Sequence, residues 1–213
     1  MANSHTSDRH YLPAAGHDLF LPLYDIVAKI LGVDRARRAL IDQASLKPGD
    51  RALEIGCGTG SFLLMLKRHF PHVELTGLDP DPKALSRAKK KTERAGYSLR
   101  FDQGFADSLP YPAASFDAVF SSFMFHHLEA ANRENTLREV RRVLKPGTSL
   151  YLLDLEVSDS SRGFCLFHSR ELLRDNTEER ILTLLRAAGF PLPHKIATTR
   201  LLSGHAACFQ AIA

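Results

Sequence analysis

Apolar and polar positions follow two different periods along this chain, one typical of strands and one typical of helices. Five short apolar runs predict buried strands. These runs cover residues 51–55, 73–78, 98–103, 115–120 and 149–155. Helical patterns lie between them, in residues 82–95 and 134–144 and in the run that starts at Phe62. Strands that alternate with helices predict a mostly parallel sheet with right-handed crossovers.

Further elements are predicted on both sides of this alternating region. Residues 19–31 carry an amphipathic stripe typical of a helix, and Asp34 can cap a second helix that runs through Ala44. Residues 194–202 and 206–213 predict an antiparallel hairpin. The hairpin implies one reversed strand in an otherwise parallel sheet.

A last helix is predicted before the hairpin. Asn176 and Glu179 form a plausible capping box, and an apolar stripe follows them until Gly189 ends the pattern. An apolar cluster at residues 164–167 precedes this helix. No internal repeat or low-complexity segment interrupts the chain.

The composition fits one globular domain. The chain has 213 residues, 44% of them hydrophobic, and a formal net charge of +4. No apolar run approaches about 18 residues, so no membrane span is expected. We expect a disordered segment at residues 1–16, which lacks an apolar signal core, and a single domain at residues 17–213.

The basic residues and the cysteines indicate which binding partners and which cellular compartment to expect. Lys83, Arg87, Lys90 and Arg94 are spaced to form one helical face, which is typical of a solvated surface, with an RNA or membrane footprint as the alternative. No aromatic residues are interleaved with them, so nucleic acid is not favoured. Three cysteines, an odd and sparse set, fit a reduced cytoplasm, and none has the spacing of a metal site.

The predicted first strand ends in a glycine-rich turn that leads into a helix. Gly56, Gly58 and Gly60 stand at alternate positions, where glycine allows a tight turn and a close approach of a ligand to the backbone. A strand, such a turn and a helix open a nucleotide-binding α/β domain. Ser61 occupies the place where the dinucleotide-binding fingerprint needs Gly or Ala, which argues against a hydride-transferring enzyme.

The turn also carries a family resemblance. Glu54-x-Gly56-x-Gly58-x-Gly60 resembles motif I of class I S-adenosylmethionine-dependent methyltransferases, and the Arg-Val-Leu-Lys-Pro-Gly segment at 142–147 resembles another of their motifs. Within that family the chain resembles the ubiquinone/menaquinone-biosynthesis methyltransferases and their small-molecule relatives. The resemblance implies a Rossmann-like, seven-stranded, mostly parallel sheet with helices on both faces and one antiparallel C-terminal strand.

The single domain is expected to have three parts. The resemblance implies a helical cover at residues 17–45, a cofactor-binding core at residues 46–155 and a C-terminal helix and hairpin at residues 156–213. In the family, the N-terminal helical part lies over the cofactor and helps to close the acceptor pocket.

Asp79 is the strongest candidate for a ribose contact. It lies 19 residues after Gly60, at the end of the predicted second strand, where a carboxylate can accept both ribose hydroxyls. Asp81 and Pro82 already supply the cap and first turn of the next helix, which leaves Asp79 free. Phe105 stands where many relatives carry an aspartate for the adenine, so we expect it to pack on the ring instead.

The resemblance implies S-adenosylmethionine as the cofactor and a set of residues that contact it. The predicted cofactor-binding residues are Glu54, Gly56, Cys57, Gly58, Gly60, Asp79, Pro80, Phe105, Ala106 and Ser121.

The loop after the predicted fourth strand carries the candidate acceptor site, since ligands of α/β sheets bind at the carboxyl ends of strands. His126 and His127 are the candidate catalytic residues, because histidine titrates near neutral pH. Either could act as a base or position the acceptor. Positioning is favoured, because no orienting carboxylate is evident for either ring. The predicted substrate-binding residues are Tyr24, Ser122, Phe123 and Phe167.

The function predicted from this resemblance is methyl transfer to a small, partly apolar acceptor. In such an in-line displacement the leaving thioether needs no proton, so much of the catalysis can come from positioning. Two alternatives stay open: a non-catalytic S-adenosylmethionine-binding protein with a regulatory or assembly role, and an RNA methyltransferase.

Overall fold

The computed structural model describes residues 31–156, 176–202 and 204–213. Its helices are α1 (Val33–Ile41), α2 (Ser61–His69), α3 (Pro82–Arg94), α4 (Ala130–Val143) and α5 (Glu178–Ala187). Its strands are β1 (Arg51–Ile55), β2 (Glu74–Asp79), β3 (Arg100–Gln103), β4 (Phe116–Ser122), β5 (Leu144–Glu156), β6 (His194–Leu201) and β7 (Gly204–Ile212). A 3₁₀ turn, Phe125–His127, follows β4. The apolar cluster at 164–167 and, apart from Leu31, the predicted helix at 19–31 lie outside the described residues.

Seven strands of the described residues form one sheet in the order β3-β2-β1-β4-β5-β7-β6. The pairs β1–β2, β1–β4, β2–β3 and β4–β5 are parallel. Only β7 runs against its neighbours, because it pairs antiparallel with both β5 and β6. The predicted fold class is therefore confirmed, including the reversed strand and the hairpin near the end of the chain.

The strand register gathers several predicted site residues at one edge of the sheet. Ile55 pairs with Leu78 on one side and with Ser121 on the other. Ser122 in turn pairs with Leu153 of β5. The residues that follow these positions therefore leave the sheet side by side, at the carboxyl ends of β2, β1, β4 and β5, where parallel sheets bind ligands.

Helices cover both faces of the sheet, as predicted. On one face, α1 and α2 pack Leu40 and Phe62 against strand residues such as Phe120. On the other face, α4 and α5 pack Val140 and Leu185 against a second set of strand residues. Because successive side chains in a strand point to opposite faces, both layers are apolar and the central strands are buried.

Two predicted helix caps were wrong. The N-cap of α1 is Gly32 in a left-handed conformation (φ 89°), and Asp34 lies inside the first turn. The N-cap of α5 is Thr177, whose side chain accepts from the N–H of Arg180. Asn176 is buried and instead donates to the carbonyl of Leu155, near the end of β5. At α5 the predicted cap residue is therefore taken up by a contact with another element.

The cap of α3 was predicted correctly, whereas the predicted start of α4 differs from the structure. Asp81 accepts from the N–H of Lys83 at 2.8 Å, with Pro82 in the first turn. Helix α4 begins at Ala130, before the predicted start at Glu134.

No helix within the described ranges is long and apolar enough to cross a membrane.

Candidate cofactor and active site

The glycine loop joins β1 to α2 in a conformation that other residues rarely adopt. Gly56, Gly58 and Gly60 all have positive φ, at 66°, 50° and 73°. A Cβ atom at Gly56 would lie 2.1 Å from the Cγ atom of Met124, and one at Gly60 would lie 2.9 Å from the Cβ atom of Ala88. The loop is therefore packed against its neighbours at two of its three glycines, which explains why the sequence has no side chain there.

Asp79 ties the end of β2 to the glycine loop. Its Oδ2 atom accepts from the N–H of Gly58 at 2.8 Å, and its Oδ1 atom accepts from the N–H of Asp81 at 3.0 Å. The prediction that Asp79 is free of structural contacts was therefore wrong, because both of its oxygens bond backbone N–H groups. Each oxygen still has a second lone pair for a ligand hydroxyl. Burial is the main cause that raises the pKa of Asp79, and the two backbone bonds oppose it.

Glu54 lies at the end of β1 with one oxygen unsatisfied. Its side chain is 2% exposed, and its Oε2 atom has no hydrogen-bond partner within the described part of the chain. Burial raises the pKa of Glu54 well above its usual range, while the nearby charge of Arg37 opposes that shift. An unsatisfied buried oxygen costs about 1–3 kcal/mol, so this position fits a ligand that brings a donor.

Arg37 is a site residue that the sequence reasoning missed. It projects from α1, is 9% exposed, and its Nε atom donates to the Oγ atom of Ser122 at 3.2 Å. Its guanidinium lies 6.0 Å from the ring centre of Phe123. The available signal was an arginine on the inward stripe of α1, at helical spacing from Leu40 and Ile41.

The loop after β3 lies beside the end of β2. The N–H of Gly104 donates to the carbonyl of Asp79 at 3.2 Å, and the Nε2 atom of Gln103 donates to the carbonyl of Pro80 at 3.1 Å. Phe105 and Ala106 are both half-buried in this loop. The loop that carries Phe105 and Ala106 thus begins beside Asp79 and Pro80, and the contact of Phe105 with adenine stays a prediction.

The loop after β4 begins with a strained residue. Phe123 has a positive φ of 56°, which is unfavourable for a bulky side chain, and its N–H donates to the carbonyl of Leu153 at 2.8 Å. Ser121, two residues before it, is 1% exposed and its Oγ atom has no hydrogen-bond partner in the described ranges. Backbone strain of this kind costs about 1–3 kcal/mol and clusters at functional sites.

An orienting carboxylate does exist for one histidine, contrary to the prediction. The Nδ1 atom of His126 lies 2.5 Å from the Oδ1 atom of Asp154, near the end of β5. The N–H of His126 also donates to the Oδ2 atom of the same residue at 2.8 Å. The only local signal for Asp154 was an acidic residue in an otherwise apolar strand, and it lies 28 residues from His126.

Arg133 and His127 complete the surroundings of this pair. The Nη2 atom of Arg133 in α4 donates to the carbonyl of His126 at 3.4 Å, and its Nε atom donates to that of Leu128 at 3.1 Å. The rings of His126 and His127 have centroids 4.1 Å apart. The structure therefore brings both predicted catalytic histidines together. Tyr24 and Phe167 lie outside the described residues.

Comparison with known proteins agrees with this geometry. Residues 52–147 match the family described as a methyltransferase domain. The chain is 42% identical over 136 residues to the demethylmenaquinone methyltransferase of Deinococcus radiodurans, an alignment that covers 62% of this chain and 56% of that protein. It is 40% identical over 136 residues to the demethylmenaquinone methyltransferase of Thermus thermophilus, covering 62% of this chain and 61% of that protein. The chain thus spans less than two thirds of each relative.

A solved structure shares the fold. A S-adenosylmethionine-dependent methyltransferase from Aquifex aeolicus superposes with a TM-score of 0.69, covering 90% of this chain and 96% of that one, at 19% identity. At this identity the match concerns the fold alone. The sequence comparisons, in which residues 52–147 match the methyltransferase domain family, confirm the resemblance to class I S-adenosylmethionine-dependent methyltransferases of the ubiquinone/menaquinone group.

Proposed function

We propose that this chain binds S-adenosylmethionine at the carboxyl edge of β1 and β2 and transfers its methyl group to a small, partly apolar acceptor. One observation carries the proposal: Asp79, the glycine loop and Glu54 stand side by side at the ends of adjacent parallel strands. Such an edge is where α/β sheets bind nucleotide-like ligands.

The amino-acid end of the cofactor is a zwitterion, and the edge offers one hydrogen-bond acceptor and one cation that match it. The unsatisfied Oε2 atom of Glu54 suits the ammonium group. The buried guanidinium of Arg37, close enough to lower the pKa of Glu54, suits the carboxylate. Asp79 retains lone pairs for the ribose hydroxyls, and the glycine loop lets the ligand approach the backbone. When bound, the sulfonium supplies an activated methyl group and a leaving thioether that needs no proton.

The proposed acceptor is an apolar aromatic of the quinone type. Phe123 and Met124, on the loop that packs against Gly56, support an apolar binding surface near the methyl group. The two relatives described above are demethylmenaquinone methyltransferases, which makes a reduced demethylmenaquinone the first acceptor to assay. We further propose a cytoplasmic location, for which the sparse cysteines are the support, and the division at residues 17–45, 46–155 and 156–213.

The binding half of the proposal is tested with a pair of ligands. Calorimetry compares S-adenosylhomocysteine with its 2′-deoxyribose analogue on the wild type and on Asp79→Asn, with Asp42→Asn, an exposed aspartate, as the control. A hydrogen bond to a charged group contributes about 1.5–3 kcal/mol, so the wild type should prefer the hydroxylated ligand by about tenfold or more. Asp79→Asn should lose that preference.

The ligand pair separates a ribose contact from damage to the loop, because Asp79 also holds Gly58. A preference that persists in Asp79→Asn would refute the ribose contact. The catalytic part of the proposal is tested by measuring the release of S-adenosylhomocysteine when the acceptor is a reduced demethylmenaquinone with a short side chain. Tight binding without product over a panel of small acceptors would favour the non-catalytic alternative.

A further inference from the structure

Residues 104–115 form the connecting loop between β3 and β4, which contains no helix or strand and lies against helix α4. We propose that Arg142 and Glu139 of α4 are positioning residues that hold the turn at residues 105–108 in place for the adenine of the cofactor. This inference rests on the proposed function and deepens it, since it gives a part in cofactor recognition to two side chains outside the turn. Arg142 is also the first residue of the Arg-Val-Leu-Lys-Pro-Gly segment at 142–147.

Side chains of α4 bond the backbone of the connecting loop. Because this loop belongs to no strand of the described sheet, its backbone groups need partners outside a strand ladder. The Nη1 atom of Arg142 donates to the carbonyl of Tyr111 at 2.8 Å, and its Nη2 atom donates to that of Leu109 at 3.0 Å. The Oε2 atom of Glu139 accepts from the N–H of Leu109 at 2.9 Å. Leu109, 5% exposed, is therefore bonded to α4 through both its N–H and its carbonyl.

Arg142 and Glu139 also hold each other in one arrangement. The Nε atom of Arg142 donates to Oε1 of Glu139 at 2.7 Å, and its Nη2 atom donates to Oε2 at 2.8 Å. The bond from Arg142, helped by the N–H of Leu109 and opposed by burial, holds the pKa of Glu139 below its usual range. Four of the five N–H groups of the guanidinium are thus used. A lysine could not reproduce this planar fork.

The ion pair by itself is a weak source of stability. The side chains of Arg142 and Glu139 are 37% and 23% exposed, and ion pairs in contact with solvent contribute little. Arg138 and Glu134 form another exposed pair on the same helix. Arg142 and Glu139 differ because they make three bonds to the connecting loop. Their main effect is therefore on the conformation of that loop.

The turn begins beside the proposed ribose contact. The N–H of Gly104 donates to the carbonyl of Asp79 at 3.2 Å. The N–H of Ser108 donates to the carbonyl of Phe105 at 3.2 Å, which closes the turn over residues 105–108. In the cofactor the base is attached to the ribose, so a turn that starts next to Asp79 is within reach of the base.

The turn is held on both sides. Gly104 precedes it and is bonded to β2, whereas Leu109 follows it and is bonded to α4. Tyr111 adds a further anchor, since its O–H donates to the Oδ2 atom of Asp102 in β3 at 2.9 Å. A ligand contact stays in place only while the bonds that support it persist. Loss of the Arg142 bonds should therefore loosen the turn without changing any residue in it.

The test compares two ligands that differ by the base. S-adenosylhomocysteine carries adenine and S-ribosylhomocysteine lacks it, so the ratio of their affinities measures what the base contributes. Arg142→Gln removes the fork, Arg142→Lys keeps the charge without the fork, and Glu139→Gln removes one charge of the pair. Arg138→Gln is the matched control, because it breaks an exposed ion pair on the same helix.

Stacking of a base on an aromatic side chain corresponds to roughly 5–100-fold in affinity. In calorimetry, Arg142→Gln should bind S-adenosylhomocysteine at least about fivefold more weakly than the wild type and S-ribosylhomocysteine within about twofold of it. Arg142→Lys should show a similar loss and Glu139→Gln a smaller one, and these two variants decide the question if Arg142→Gln does not fold. Arg138→Gln should match the wild type with both ligands.

Amide hydrogen exchange of the full chain reports on the turn without any ligand. The N–H of Ser108 closes the turn and should exchange roughly 2–10-fold faster in Arg142→Gln, as the loss of a supporting hydrogen bond predicts. Unchanged exchange at Ser108 would overturn the inference.

The ligand pair separates positioning from general damage. An equal loss of affinity for both ligands, or wild-type affinity for S-adenosylhomocysteine in Arg142→Gln or Arg142→Lys, would overturn the inference. So would a wild type that binds the two ligands equally well. A wild type that fails to bind S-adenosylhomocysteine at all would count against the proposed function instead.

Discussion

Alanine at Gly56 should destabilise the protein more than alanine at Gly58, although both glycines have positive φ. Left-handed backbone costs an L-residue about 1–2 kcal/mol, and this cost applies at both positions. At Gly58 nothing lies within 4 Å of the added Cβ atom. At Gly56 the added atom would lie 2.1 Å from Cγ and 2.8 Å from Cβ of Met124, atoms too close to the backbone to move aside cheaply.

Overpacking of this kind adds about 1–3 kcal/mol. We therefore expect a loss in the free energy of unfolding of about 2–5 kcal/mol for Gly56→Ala and about 1–2 kcal/mol for Gly58→Ala. Met124→Ala removes the Cγ atom and leaves the Cβ atom at 2.8 Å. The double variant should therefore recover part of the loss, with a coupling energy of about 0.5–3 kcal/mol.

Urea denaturation of the four variants without ligand measures these differences, provided that the slope against denaturant stays constant. Gly49→Ala serves as a control, since Gly49 also has positive φ, at 87°, and nothing within 4 Å of its added Cβ atom. Equal losses for Gly56→Ala and Gly58→Ala would refute the reasoning. So would a double variant in which Met124→Ala recovers nothing.

Two further predictions concern buried acids whose pKa values are shifted in opposite directions. Burial raises the pKa of Glu54, so its contribution to stability is present below the unfolded pKa and is lost as pH rises through the folded pKa. In urea titrations at several pH values Glu54→Gln should flatten that decline, and the variant should also bind S-adenosylhomocysteine more weakly. An unchanged slope of stability against pH would contradict the burial argument. Burial opposes ionisation of Asp154, but His126 and backbone donors hold its pKa below the usual range. Its stabilisation is therefore present at neutral pH and is lost as pH falls through the folded pKa. Asp154→Asn should lower the free energy of unfolding by about 3–5 kcal/mol at pH 7 and progressively less in acid, and a difference that stays constant with pH would contradict this reasoning.

Local motifs made the cofactor edge predictable from sequence. The glycine loop and the cap at Asp81 depend on residues a few positions apart, and both were predicted correctly. The strand β5 was predicted to start at residue 149, whereas it starts at Leu144. Leu144 pairs with Phe116, and the register shifts before the next pair. The early start of β5 comes from pairing with another strand. The pattern of residues within one segment carries no information about such pairing.

The acid partner of His126 was not predictable for a related reason. Asp154 lies 28 residues away, and only the register of β4 and β5 brings the two together. Arg37 reaches Ser122 over 85 residues in the same way. Spacing along the chain reveals contacts within one helix or turn, and these two contacts cross from one element to another.

The position of β7 has a consequence for how the protein is made. This strand lies between β5 and β6, and Asp154 of β5 pairs with Ala207 of β7. During synthesis β5 and β6 leave the ribosome first, so the sheet holds an open edge at β5 until β7 follows. An open edge is a template for strands of other chains. The interval in which a nascent chain can pair wrongly with its neighbours therefore lasts until residues 204–212 emerge, and Asp154 stands beside that gap throughout.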